Sequence, residues 1–297
     1  MSGAQPIHAE LIAVLVAVTA ATPRFLTLLD GSALPAGPLE SGHRSLQAGL
    51  RSWVERHTGH ALGHIEQLYT FADTDRSRAG RSISISYLGL TAETRAPLGG
   101  RVSWQDWYDY FPWEDRRTAS DLIETRIAPG LARWATTADR AARATRCFAL
   151  DDTPWNEDLT LARYELLYEA GLVPEAQRDG CPPHGDPVPG LRMTADHRRI
   201  LATAISRLRA KIKYRPIVFE LLPELFTLLD LQRCIEALAG HALHKANFRR
   251  LIESQSLLEE TESFASGPGR PARLYRFRAA IRTERAEAGT RLPLARP

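Results

Sequence analysis

The sequence predicts an α+β chain: a mixed core of strands and helices, followed by a C-terminal winged helix-turn-helix. Three observations predict it. A continuous β-prone run stands near the start, two short amphipathic helices flank a glycine-containing turn near the end, and charge is divided unevenly between the two parts. At 297 residues, with 44% hydrophobic and 25% charged residues, the chain is long enough for two globular domains, each with its own core.

The formal net charge of +3 hides an asymmetry. Residues 191–297 hold 20 Arg or Lys against 11 Asp or Glu, a net of +9, and residues 1–190 carry a net of −6. A basic part beside an acidic part points to a polyanionic partner, with nucleic acid the first candidate. The three cysteines are scattered and form no CxxC pair, which argues against a disulfide framework or zinc ribbon and fits a reducing cytoplasm. The apolar run at 11–21 is too short to span a bilayer and no basic segment precedes it, so no membrane partner is expected.

Residues 11–18 (LIAVLVAV) read as a strand covered on both faces. Leu46, Leu50, Trp53 and Val54 recur at spacings of three and four, predicting a helix over 46–58 ended by Gly59. Residues 65–71 and 83–90 read as strands joined by a polar loop at 73–78. Residues 116–147 and 156–171 read as mostly helical, with Pro129-Gly130 interrupting the first. Seven Gly or Pro residues between 177 and 191 mark a linker or long surface loop. These signals divide the chain into an effector-sensing domain at 1–190 and a linker helix plus DNA-binding domain at 191–297. The linker helix, 196–214, turns Ile200, Leu201, Ala204, Ile205, Leu208 and Ile212 to one face. Arg198, Arg199, Arg207, Arg209, Lys211 and Lys213 fall on the other.

Thr227 and Asp230 form a capping-box-like start for a helix over 228–239, ended by Gly240. A short turn leads to a second helix over 244–255, the one such an arrangement lays in the major groove. Phe248, Leu251 and Ile252 pack inward. Lys245, Asn247, Arg249 and Arg250 face outward, with chemistry suited to base edges and phosphates. Strand-like segments at 257–260 and 274–277 enclose Gly267-Pro268-Gly269-Arg270-Pro271-Ala272-Arg273. This is a wing whose Arg270 and Arg273 would meet backbone or minor groove.

Several stretches carry a family resemblance: Leu50-Arg51-Ser52-Trp53-Val54-Glu55 with Thr58-Gly59, then 66–71 (EQLYTF) and 164–172 (YELLYEAGL). In the second part they are Asn247-Phe248-Arg249-Arg250-Leu251, 258–261 (LEET) and 269–277 (GRPARLYRF), the last being the most specific. Here the sequence resembles the Nudix-related transcriptional regulators of NAD metabolism. The resemblance implies a Nudix-like α/β/α sandwich fused to a winged helix. It implies too a homodimeric repressor of NAD-synthesis genes that binds double-stranded operator DNA, with an adenine nucleotide (NAD, ATP or ADP-ribose) as effector rather than a bound cofactor.

Nudix hydrolases need the carboxylates of their signature box to hold divalent cations against a pyrophosphate. Setting the box's final glycine on Gly59 puts Arg44, Ser52, Trp53, Arg56 and His57 at its Glu, Arg, Glu, Glu and Glu positions. Only Glu55 lies nearby, so a catalytically inactive sensor with no catalytic and no metal residues is expected. His43, His57, His60 and His64 straddle Gly59 without a supporting carboxylate or cysteine, which argues against a metal. The aromatic group Trp104, Trp107, Tyr108, Tyr110, Phe111 and Trp113 admits two readings, an adenine-stacking surface or a core. Effector-binding residues are not identified by any pattern. Two rival functions stay open: a pyrophosphohydrolase with a basic nucleic-acid-binding tail, and a winged helix that docks a protein.

Overall fold

In the computed structural model, the described residues are 8–60, 62, 65–72, 82–93, 102–214, 217–265 and 271–278. The central sheet is built on β1 (His8–Thr19), whose residues 11–17 are all buried. Its neighbours in order are β4 (Ile65–Phe71), β5 (Ser82–Leu90), β1, β2 (Thr22–Leu28) and β6 (Val102–Asp106), with β3 (Ala36–Pro38) pairing β1 separately. β1 runs parallel to β5 and antiparallel to β2 and β3. Alternate residues of β1 feed two cores, which explains the unbroken apolar run. Leu11, Ala13 and Leu15 face α1 (Leu46–Thr58), whereas Ile12, Val14 and Val16 face the large core beneath the remaining helices.

α1 has the bounds its sequence predicts because both ends are capped. The Ser45 hydroxyl accepts from the Ala48 amide, and Gly59 turns left-handed at φ 70° to close the last turn on Glu55. The loop at 73–78 lies outside the described residues. β2, β3 and β6 were not anticipated from the sequence.

The Pro129-Gly130 interruption is corrected. A π-helical turn (Ile123–Ile127) runs straight into α2 (Ala128–Trp134), so the helix passes through Pro129, whose missing N–H falls just after the π turn. The break falls instead at 135–137, before Thr137 caps α3 (Ala138–Phe148). α4 (Thr160–Glu169) and α5 (Pro174–Arg178) follow. The Gly/Pro-rich segment is a pinned surface loop: the Val188 amide donates to the Leu172 carbonyl and the Leu191 amide to that of Asp109, each at 2.8 Å.

α6 (His197–Ile212) buries all six of its predicted apolar residues. The basic residues assigned to its other face are only partly exposed to solvent. Arg198 and Arg209 are fully buried, because α6 packs against α4 and β4 and also against α7 (Leu228–Ala239), leaving no open side there. Arg198 pairs with Glu175 at 3.0 Å and Arg209 with Glu114. Two of the basic charges counted toward a polyanion are therefore spent inside the protein.

The C-terminal unit comprises α7, α8 (Lys245–Ser254) and the hairpin β7 (Leu258–Ala265) with β8 (Ala272–Phe277). A reciprocal capping box joins Thr227 and Asp230, and Gly240 closes α7 at φ 79°. Phe226 exchanges both backbone hydrogen bonds with Tyr275, adding a third strand-like rung to the hairpin. Phe226, Leu231, Ile235, Phe248, Ile252 and Phe277 fill the core of this winged helix-turn-helix.

Candidate functional site

The surface presented by α8 follows from its period. Phe248 and Ile252 are buried and Leu251 is half-buried, so 245–247, 249 and 250 stand out from the body. Lys245, Asn247, Arg249 and Arg250 are exposed, and their side chains make no hydrogen bond or ion pair with other described residues. Three cations and an amide on one helix, with side chains unengaged among the described residues, are available to an external acceptor.

The wing differs. Arg273 is exposed but pairs with Glu260 across the hairpin and lies over the Phe264 ring at 5.6 Å, and Arg276 pairs with Glu259 at 2.9 Å. Any phosphate contact by Arg273 would compete with Glu260. Arg270 and the two wing-tip glycines lie outside the described residues.

On α1 and just before it the box positions form a basic and aromatic surface. Arg44, Ser52, Arg56 and His57 are exposed, and Trp53 is half-buried. His57 stacks on Trp53 with centroids 4.1 Å apart and planes 15° from parallel, its Nδ1 2.7 Å from the Trp53 carbonyl. Trp53 lies hard against Gly37 of β3: a Cβ there would come within 2.3 Å of the indole. An indole–imidazole stack thus fills the ground where glutamates would gather round a cation. Arg56 Nε donates to the Ser52 carbonyl at 3.1 Å, and Arg51 to the Leu62 carbonyl. No group of three or more His, Cys, Asp or Glu able to hold a metal comes together among the described residues. The divalent cation of Nudix chemistry does not fit the side chains present. His60 is buried beside Trp104, and burial pushes its pKa below the ordinary histidine value despite a hydrogen bond with Thr58. His64 lies outside the described residues.

The aromatic segment is core. Trp107, Tyr108, Tyr110, Phe111 and Trp113 are buried, and only Trp104 is half-buried. Their polar edges work as fasteners: the Tyr110 hydroxyl donates to the Gly31 carbonyl at 2.6 Å and the Tyr108 hydroxyl to the Ala237 carbonyl at 2.7 Å.

Sequence reasoning missed the ionic group centred on Glu114. Its carboxylate accepts from Arg163 Nε at 2.5 Å and Nη2 at 2.9 Å, from the Thr160 hydroxyl at 3.1 Å, and from Arg209. Burial is the largest influence on this carboxyl and works against its charge. The two guanidiniums outweigh it and hold the pKa below the usual glutamate value. No local signal could have revealed this, because the partners lie 49 and 95 residues away.

Residues 218–277 match the family model of the NrtR DNA-binding winged helix domain. Over 87 residues the chain is 40% identical to the ADPR responsive transcriptional repressor NtrR of Acinetobacter baylyi; the match covers 29% of this chain and 35% of that one. The chain thus spans about a third of the length of that curated relative. Among solved structures, Shewanella oneidensis NrtR complexed with a 27mer DNA superposes with a TM-score of 0.58 at 19% identity, covering 95% of this chain and 99% of that one. A MutT/nudix family protein from Enterococcus faecalis superposes at 0.54 and 16% identity, covering 94% and 89%. Residues 218–277 therefore match the NrtR DNA-binding winged helix domain, and the chain as a whole has a fold like that of S. oneidensis NrtR and of the E. faecalis MutT/nudix family protein, with the winged helix at its C-terminal end.

Proposed function

We propose that the chain is a ligand-responsive transcriptional repressor of NAD biosynthesis genes. Residues 191–297 bind double-stranded operator DNA, and residues 1–190 sense an adenine nucleotide without hydrolysing it. The observation that carries this reading is the unengaged set Lys245, Asn247, Arg249 and Arg250 on the second helix of a helix-turn-helix. Such a helix offers an amide for adenine and guanidiniums for guanine or phosphate. The DNA bound to S. oneidensis NrtR and the name of the A. baylyi relative support the DNA and ADP-ribose assignments respectively. The basic, aromatic surface of α1 supports a sensor without hydrolysis. A homodimer on two half-sites supplies the affinity that one helix-turn-helix lacks. No helix among the described residues is long and apolar enough to cross a membrane.

The test is binding of purified protein to the DNA upstream of its own gene, at two salt concentrations, with and without ADP-ribose, NAD and ATP. Sequence-selective binding that weakens with salt and responds to one nucleotide is the expected result. No preference for that DNA over scrambled sequence would refute it.

A further inference from the structure

An α-helix leaves the carbonyls of its last turn without intrahelical partners, and at a surface they are normally met by water. The first helix of the helix-turn-helix, α7, ends differently. The Glu236 carbonyl accepts from the Gly240 amide at 2.9 Å, as a glycine cap requires. The next two are met by side chains from elsewhere in the chain: the Ala237 carbonyl by the Tyr108 hydroxyl at 2.7 Å, the Leu238 carbonyl by Arg209 Nε at 2.8 Å. The Gly240 carbonyl itself accepts from the Arg116 amide at 2.6 Å. Gly240 also sits so close to this segment that a Cβ would come within 2.2 Å of the Glu114 carbonyl oxygen. Arg209 is fixed in turn by Glu114, which also grips Arg163 of α4.

We propose that Tyr108 and Arg209 are positioning residues for DNA recognition: with the Arg116 amide they clamp the end of α7 to the N-terminal domain, so that this domain sets where α8 stands. The inference rests on the DNA-binding reading above and deepens it. The turn from Gly240 to Leu243 is all that separates the clamped end from the helix that would enter the groove. Two operator half-sites demand fixed separation and orientation of two α8 helices, whereas scrambled DNA demands neither. Loosening the clamp therefore affects operator binding selectively.

The experiment uses the full chain as parent, Tyr108→Phe, Gly240→Ala and Gly180→Ala. Tyr108→Phe deletes one hydroxyl at constant shape. Gly240→Ala drives a methyl against Glu114, and Gly180→Ala controls for backbone strain, since it has a similar φ (85° against 79°) and open space around it. Affinities for own-upstream and scrambled DNA are read beside amide hydrogen exchange over 237–244. For Tyr108→Phe, operator affinity should fall about two- to tenfold, the worth of one hydrogen bond, with scrambled DNA bound as by the parent. Exchange over 237–244 should quicken by a similar factor. Gly240→Ala should exceed this, and Gly180→Ala should match the parent in DNA binding and in that exchange. An equal loss on both DNAs, which general destabilisation produces, overturns the proposal, as does unchanged exchange in Tyr108→Phe. If the parent prefers no DNA, the DNA-binding reading fails. The clamp is then judged by exchange alone, supported if Tyr108→Phe quickens it and overturned if not.

Discussion

Glu114 and Arg209 stand 95 residues apart in sequence and meet as an ion pair with both side chains wholly excluded from solvent. Removing one member of such a pair strands the other in a medium that cannot solvate it. Glu114→Gln leaves Arg163 and Arg209 both uncompensated. It should cost about 3–5 kcal/mol of stability, measured by urea unfolding.

The same carboxyl predicts a pH dependence. Its folded pKa lies below the ordinary glutamate value, so its stabilising contribution is complete above the unfolded pKa of about 4.3. That contribution is lost as pH falls through the lower folded pKa. Asp115 and Glu157 are lowered in the same direction, so the informative quantity is a difference. Between about pH 5 and pH 3, the parent should lose more stability than Glu114→Gln does. Parallel stability curves for the two proteins would show that Glu114 is not the titrating group.

Hydrolysis provides an independent test of the sensor. With Arg44, Ser52, Trp53, Arg56 and His57 at the box positions, purified protein should show no Mg²⁺-dependent turnover of ADP-ribose or NAD above background. Clear turnover, abolished by Glu55→Gln, would make the domain an enzyme after all.

On α8, Asn247→Ala should cost about 1–3 kcal/mol on the operator and almost nothing on scrambled DNA, as loss of an adenine contact does. If Asn247 serves only the helix, the melting temperature moves instead and affinity does not.

The wing prediction has two sides because Arg273 is already paired. Arg273→Ala should weaken binding to all sequences and flatten the salt dependence by about one unit of slope. Glu260→Gln should release the guanidinium and tighten binding to all sequences. Replacement of either residue without effect on DNA affinity would assign the pair to the hairpin alone.

Assembly is tested by mass. A homodimer at micromolar concentration, on and off DNA, is the expected state, and a strict monomer in both would contradict it.

What the sequence made legible, and what it hid, divides along physical lines. The bounds of α1 and α7 could be read because their caps are local: Ser45 with Gly59, and Thr227 and Asp230 with Gly240. The outward set on α8 could be read because a one-sided helix has a clear period. β2 and β6 could not, since Pro23 obscures the first, and the second is five half-buried residues at the end of the strand order, beside β2. Arg198 and Arg209 misled for a related reason. Helical period sets both within about 40° of Ile205, on the flank of the apolar face, so it was their charge and not their angle that suggested solvent. The Glu114 cluster is the extreme case, its members drawn from three distant segments.

Those buried arginines bear on how freely the two parts could be recombined. A fragment beginning at residue 191 would carry Arg198 and Arg209 away from Glu175 and Glu114 and lay Ile200, Leu201 and Ile205 open to water. The DNA-reading end is thus no cassette to be grafted behind another sensor. A transplant would have to bring the 107–116 segment and the Arg163 helix with it, and any lineage that exchanged one part alone would inherit unpaired charge at the seam.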